Sequence, residues 1–242
     1  MLDLFLEPNE SSRNDVTICE DRAFRTAAVV DDFVSVACDT LTLCLGPIAC
    51  AAMATILPAD AASDVTTPSS SATVRVHVVQ IPSEDETNNI AALCLQPELV
   101  QDAYLYDLCE QILRKTNPTR VVVFGSYPAS LYLGDPSDCD LRYVLGNASS
   151  LPPINAKCAE FSSPNFLTGV AGAMMTLTQT ILPLPCVVFI SLSHNLSAID
   201  AALRFGPVIR SLFKPERSVT REAILQLGIL DSGSDQPLNL FI

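Results

Sequence analysis

The sequence predicts an α/β layered fold, a central and mostly buried β-sheet flanked by helices, in a single domain. Three observations carry that expectation. The run 164–193 is uncharged throughout, yet Pro183 and Pro185 divide it into a helical part and a β-branched part. A second stretch, VVVF at 121–124, is wholly apolar, as a strand buried on both faces should be. Along the rest of the chain, strand-like and helix-like segments alternate, the pattern of crossover units.

The elements follow in order. Residues 1–14 read as a mobile tail, and FVSVAC at 33–38 reads as a buried strand. From Thr40 to residue 57 the chain carries no charge, which predicts a buried helix that kinks or stops early at Gly46-Pro47. A polar, low-complexity loop at 58–72 precedes the alternating TVRVHVVQI at 73–81 and a further apolar run at 90–95, expected to be hairpin neighbours.

From Pro97 the pattern turns helical. Val100, Tyr104, Leu108 and Ile112 recur in i, i+4 register, Arg114 and Lys115 suit the C-terminal end of the helix dipole, and Asn117-Pro118 ends the element. The strand 121–124 follows, and then a Pro-, Ser- and Gly-rich variable segment, 127–163. Pro164-Asn165 predicts an opening turn, with Phe166, Val170, Met174 and Leu177 at helical spacing up to the prolines and the strand 186–191 beyond them. Two amphipathic helices, 197–213 and 216–227, close the domain; Val219, Ala223 and Leu227 form the stripe of the second. The domain therefore spans 15–230, and 231–242 is a tail.

Composition limits the function. Fourteen basic residues against 27 acidic ones leave a net charge of −13, which argues against nucleic acid, because that binding rests on Lys and Arg neutralising phosphates. A membrane span is not expected either. The prolines leave a roughly sixteen-residue helix and a roughly six-residue strand, below the about 18 apolar residues a crossing requires. Nine cysteines occur without a Cys-x-x-Cys pair, mostly within apolar runs, as small core residues of a reducing compartment. With an acidic start that lacks the form of a secretory signal, this predicts a cytoplasmic protein and leaves the nucleus open. No zinc spacing, Walker loop, dinucleotide-binding glycine pattern or Gly-x-Ser-x-Gly elbow is present, so no cofactor is expected.

Two constellations remain. Gly125-Ser126 after an apolar strand, followed by Asp138-Cys139-Asp140-Leu141, looks like the nucleotidyltransferase signature, in which the Gly-Ser backbone cradles a triphosphate and two carboxylates hold magnesium. The third carboxylate is missing: 186–191 has none, and Glu160 falls in the variable segment. Only Arg142 lies near to balance charge, and Asp135-Pro136-Ser137-Asp138 reads equally as turn chemistry. This enzyme reading stands as the alternative. The second constellation is Leu240-Phe241-Ile242, three large apolar residues beyond the polar DSGSDQP at 231–237. Such an ending either folds back on its own core or serves as an anchor for another protein, and the polar spacer favours the anchor.

The stretch from PNFLTGVAGAMM through DAALRFGPVIRSL resembles the proteasome assembly chaperone 1/2 family. Pro164-Asn165, the small residues Ala171 and Ala173, Pro185 and Phe205-Gly206-Pro207 occupy the family's turn, mid-helix, strand-entry and closing-helix positions. As an order of elements the resemblance extends over about residues 33–230. It implies an α/β sandwich without catalytic activity that forms a heterodimer with a proteasome assembly chaperone 2-like subunit. It further implies binding to α subunits of the 20S proteasome ring, promotion of α-ring assembly and blocking of premature activator docking. Family members end in hydrophobic-Tyr-any, a tail that enters pockets between α subunits. Here Leu240, Phe241 and Ile242 take those places; Phe for Tyr forfeits one hydroxyl hydrogen bond, about 1 kcal/mol net. The terminal carboxylate of Ile242 would be captured by a pocket lysine.

Overall fold

A computed structural model of the chain describes residues 37–56, 80–81, 90–95, 105–134, 139–146, 156–193, 198–215 and 217–227. Their core is a sheet of seven strands: β1 (Thr40–Leu45), β2 (Gln80–Ile81), β3 (Ile90–Leu95), β4 (Arg120–Pro128), β5 (Leu141–Leu145), β6 (Ala159–Glu160) and β7 (Cys186–Ser193). The spatial order is β2-β3-β1-β4-β7-β5-β6. β3, β1, β4 and β7 run parallel, β5 runs antiparallel to β7, and short β2 and β6 close the two edges. Among the described residues β2 pairs with Ile90 and Ala91 of β3, and β6 with Arg142 and Tyr143 of β5.

Helices cover both faces, making three layers. On one side lie α1 (Gly46–Ala54), α4 (Ala198–Leu203), α5 (Gly206–Phe213) and α6 (Arg221–Leu227), packed on Cys44, Val122, Phe124, Val187 and Phe189. On the other lie α2 (Leu105–Thr116) and α3 (Gly169–Thr180), packed on Leu41, Leu43, Val121, Val123, Val188 and Ile190. Alternate residues of β1, β4 and β7 thus enter opposite cores, and the α/β layered expectation holds. Phe124 is the centre of the first core: its ring lies 5.6 Å from Phe189, 5.3 Å from Phe205 and 6.4 Å from Phe213. The second core depends on small residues, since Ala171 and Ala173 let α3 approach α2 until the Cys109 thiol reaches the Val170 carbonyl at 3.8 Å.

Several boundaries differ from expectation, each for a physical reason. Residues 33–36 lie outside the described residues, and Ala37 and Cys38 are not in a strand; the first strand is Thr40–Leu45, inside the stretch expected to be helical. TLTLCL is buried at every position between β3 and β4, and helix begins only at Gly46, whose φ of 78° turns the chain before Pro47 sets the first turn. β2 pairs antiparallel with β3 as a hairpin neighbour should, although 73–79 lie outside the described residues. So does the start of the helix expected from Pro97, including Val100 and Tyr104; its described part ends where Asn117, at φ 41°, donates its N–H to Leu113.

The variable segment 127–163 holds more order than expected, contributing the end of β4 together with β5 and β6. Phe166 is not on the helix at all. The helix starts only at Gly169, after an extended Thr168, so Val170, Met174 and Leu177 face the core while Phe166 stands out. The expected helix 197–213 is two helices, broken at Arg204-Phe205 ahead of Pro207 so that Phe205 can drop into the first core. In α6 the fully buried side chain is Ile224 rather than a Val219, Ala223 and Leu227 stripe; Leu227 is exposed.

Candidate interaction surface

The nucleotide-cradle reading requires Gly125 and Ser126 at a strand-to-helix turn with amides facing solvent. They lie instead within β4, paired to Ile190 and Ser191 of β7, and Ser126 is buried. Among the described residues this pair belongs to the sheet rather than to a strand-to-helix turn. Asp140 meets Arg204 at 2.8 Å, and its carbonyl accepts the Leu192 N–H at 2.7 Å. Arg204 also donates to the Leu192 carbonyl, so the pair ties the start of β5 to the end of β7. Arg142 is buried, its guanidinium 4.8 Å above the Tyr132 ring. Glu160 is on edge strand β6, and Asp138 lies outside the described residues. Among the described residues no group of three His, Cys, Asp or Glu side chains is placed to hold a metal, and no helix is long and apolar enough to cross a membrane.

Leu240, Phe241 and Ile242, with the polar spacer before them, also lie outside the described residues. What the structure adds is an apolar surface that no sequence pattern announces. After β4 the chain makes a single 3-10 turn, Ala129–Leu131, and returns across the loop that precedes α3. Asn165 joins the two loops. Its side-chain carbonyl accepts the Leu133 N–H at 2.7 Å, while its amide donates to the carbonyls of Leu133 and Ser162, each at 2.9 Å. Beneath them Phe161 takes Tyr127 edge-on at 5.2 Å and Tyr132 at 5.6 Å. On this base Leu131, Leu133 and Phe166 remain 54%, 61% and 73% exposed. Large exposed apolar side chains, where they form one patch, are a feature of surfaces that meet other proteins. The sequence signal was the Pro164-Asn165 turn, but the Asn165 bond to Leu133 spans 32 residues and has no local signature.

No protein-family model matches the chain, and no curated protein matches it. Solved structures do. A protein of unknown function from Thermoplasma acidophilum aligns over 93% of this chain and 92% of its own, at 12% identity and a TM-score of 0.53. PbaA of Pyrococcus furiosus, an archaeal homolog of proteasome-assembly chaperone, aligns over 81% of this chain and 90% of its own, with 12% identity and a TM-score of 0.53. PbaB of the same organism, an archaeal proteasome activator, covers 79% and is itself covered to 89%, at 10% identity and a TM-score of 0.52. At such identities the likeness is one of architecture, and this chain has the α/β layered fold that those three proteins share.

Proposed function

We propose that this chain is a non-enzymatic proteasome assembly chaperone, the chaperone 1 member of its family. In this reading it pairs with a chaperone 2-like subunit and engages the α ring of the 20S proteasome through Leu240, Phe241 and Ile242, in the cytoplasm. It acts by binding, favouring α-ring assembly and keeping activators out of the same pockets until the ring is complete. The observation that carries the reading is the layered fold it has in common with PbaA, a proteasome-assembly chaperone homolog, across most of both chains. The resemblance of 164–212 to the family and the tail ending Leu240-Phe241-Ile242 support it from the sequence. The exposed Leu131, Leu133 and Phe166 offer the folded body a second contact, and a chain of net charge −13 is better suited to a less acidic partner than to a second copy of itself.

Deleting 240–242 tests the anchor. Proteasome α subunits co-purify with the full chain, and their recovery falls sharply with the truncated one while the chaperone 2-like subunit stays bound. Equal recovery of α subunits by both chains sinks the anchor, and absence of α subunits from the full-chain purification sinks the whole reading.

A further inference from the structure

We propose that Cys139 and Cys158 are a redox-modification site, two thiols that close reversibly into a disulfide across the β5–β6 edge of the sheet. Cys158 directly precedes β6 and Cys139 lies two residues before β5. The strands are parallel, with Arg142 opposite Ala159 and Tyr143 opposite Glu160, so Cys158 falls opposite Leu141, diagonal to Cys139 at the same end of the pair. The Cys139 thiol donates to the Lys157 carbonyl at 2.8 Å, the peptide group that joins Lys157 to Cys158. It also approaches the Leu141 carbonyl at 3.2 Å, which curls the side chain back over the start of β5. Both side chains pack against the core under α1, α4 and α5, hence on one face of the sheet.

Access separates this pair from the buried cysteines; Cys50 is half-buried too, its thiol donating to the Cys44 carbonyl at 3.4 Å. Cys38, Cys109 and Cys186 are buried, whereas Cys139 and Cys158 are only half-buried and within reach of a small oxidant. Burial, and then the charge Cys139 carries when ionised, push the Cys158 thiol up, so Cys158 stays a thiol until Cys139 has been oxidised.

The chemistry balances with a peroxide as the oxidant. The Cys139 thiolate attacks the peroxide, becoming a sulfenic acid while the other oxygen leaves as water. The Cys158 sulfur then displaces the sulfenic oxygen, which departs as a second water and leaves the disulfide. Two electrons pass from the thiols to the peroxide, and a dithiol reductant returns them. In a reducing compartment such a bridge is a transient, responsive state rather than a permanent staple. It would close the chain between 139 and 158 around β5 and Asp140, stiffening the edge that Arg204 ties to β7. This inference is independent of proteasome binding.

The test uses the full reduced chain, treated with graded hydrogen peroxide, alkylated, and digested without reductant for mass spectrometry. The expected product is a peptide pair linked Cys139 to Cys158, lost on dithiothreitol treatment. In C139S or C158S the linked pair disappears. Phenylarsine oxide, which requires two neighbouring thiols, should protect both from alkylation in the native chain; neither this nor the wild-type mapping depends on how a variant folds. If both cysteines remain alkylatable after peroxide, are driven separately to sulfinic acid, or bridge mainly to other cysteines, the proposal is wrong.

Discussion

Thr42 carries a hydroxyl that the sheet does not use. It is fully buried on β1 between β3 and β4, and its oxygen has no hydrogen-bond partner. Thr40, one strand alternation away, is served by the Arg120 side chain at 2.5 Å. A buried hydroxyl left unpaired costs about 1–3 kcal/mol, so Thr42→Val, which keeps the β-branched shape, should stabilise the fold by about 1 kcal/mol in denaturant unfolding. Destabilisation would mean that the hydroxyl is satisfied. Buried thiols act in the opposite sense at high pH. Burial pushes Cys109 up to about 12, and Cys38 and Cys186 each to about 11, from an ordinary 9.0. The folded chain therefore holds these protons where the unfolded chain has released them. Their contribution is complete below pH 9, and stability falls as pH rises from there towards 11–12. Unfolding midpoints measured across that window should drop, and the drop should shrink in Cys109→Ala.

Elements were legible where chain chemistry marks both ends. The prolines at 183 and 185 separate α3 from β7, and Asn117-Pro118 closes α2, as expected; α3 starts at Gly169 rather than directly after the Pro164-Asn165 turn. β1 was not legible as a strand, because a strand buried on both faces loses the period-two alternation and looks like any apolar run. β5 was hidden for the opposite reason: LRYVL is short, half-exposed at its end and set among Pro- and Ser-rich loops. The exposed leucines at 131 and 133 were invisible because exposure is decided by the neighbours that Asn165 brings across. Two glycines test how far backbone needs explain the elements. Gly46 turns β1 into α1 at φ 78°, so Gly46→Ala should cost about 1–2 kcal/mol of left-handed strain. Gly125 in β4 would place a methyl 3.9 Å from Leu45, an ordinary contact. Gly125→Ala should therefore unfold no earlier than the parent chain; a loss as large as that at Gly46 would restore a special role for the Gly125-Ser126 backbone.

At the scale of the whole molecule, the proposed anchoring of 240–242 beside a contact of the three-layer body makes a quantitative claim. Burying Leu240 and Phe241 contributes roughly 1.5–3 kcal/mol each, while fixing the backbone of the tail costs about 1 kcal/mol per residue. A tail alone therefore binds weakly. Joined to a body that holds its own contact, it binds as an intramolecular group at an effective concentration in the millimolar range, and affinity rises by about 10²–10⁴ over either part alone. Three samples measured against assembled α ring decide this: a synthetic peptide of residues 231–242, the chain lacking 240–242, and the full chain with its partner subunit. The last should bind tighter than both others by at least about a hundredfold. Phe241→Tyr, which restores the phenolic hydroxyl, should tighten the full chain by about fivefold further, the equivalent of one hydrogen bond of about 1 kcal/mol. Peptide and full chain binding equally would show that the body contributes no contact, and Leu131, Leu133 and Phe166 would then face something other than the assembling proteasome.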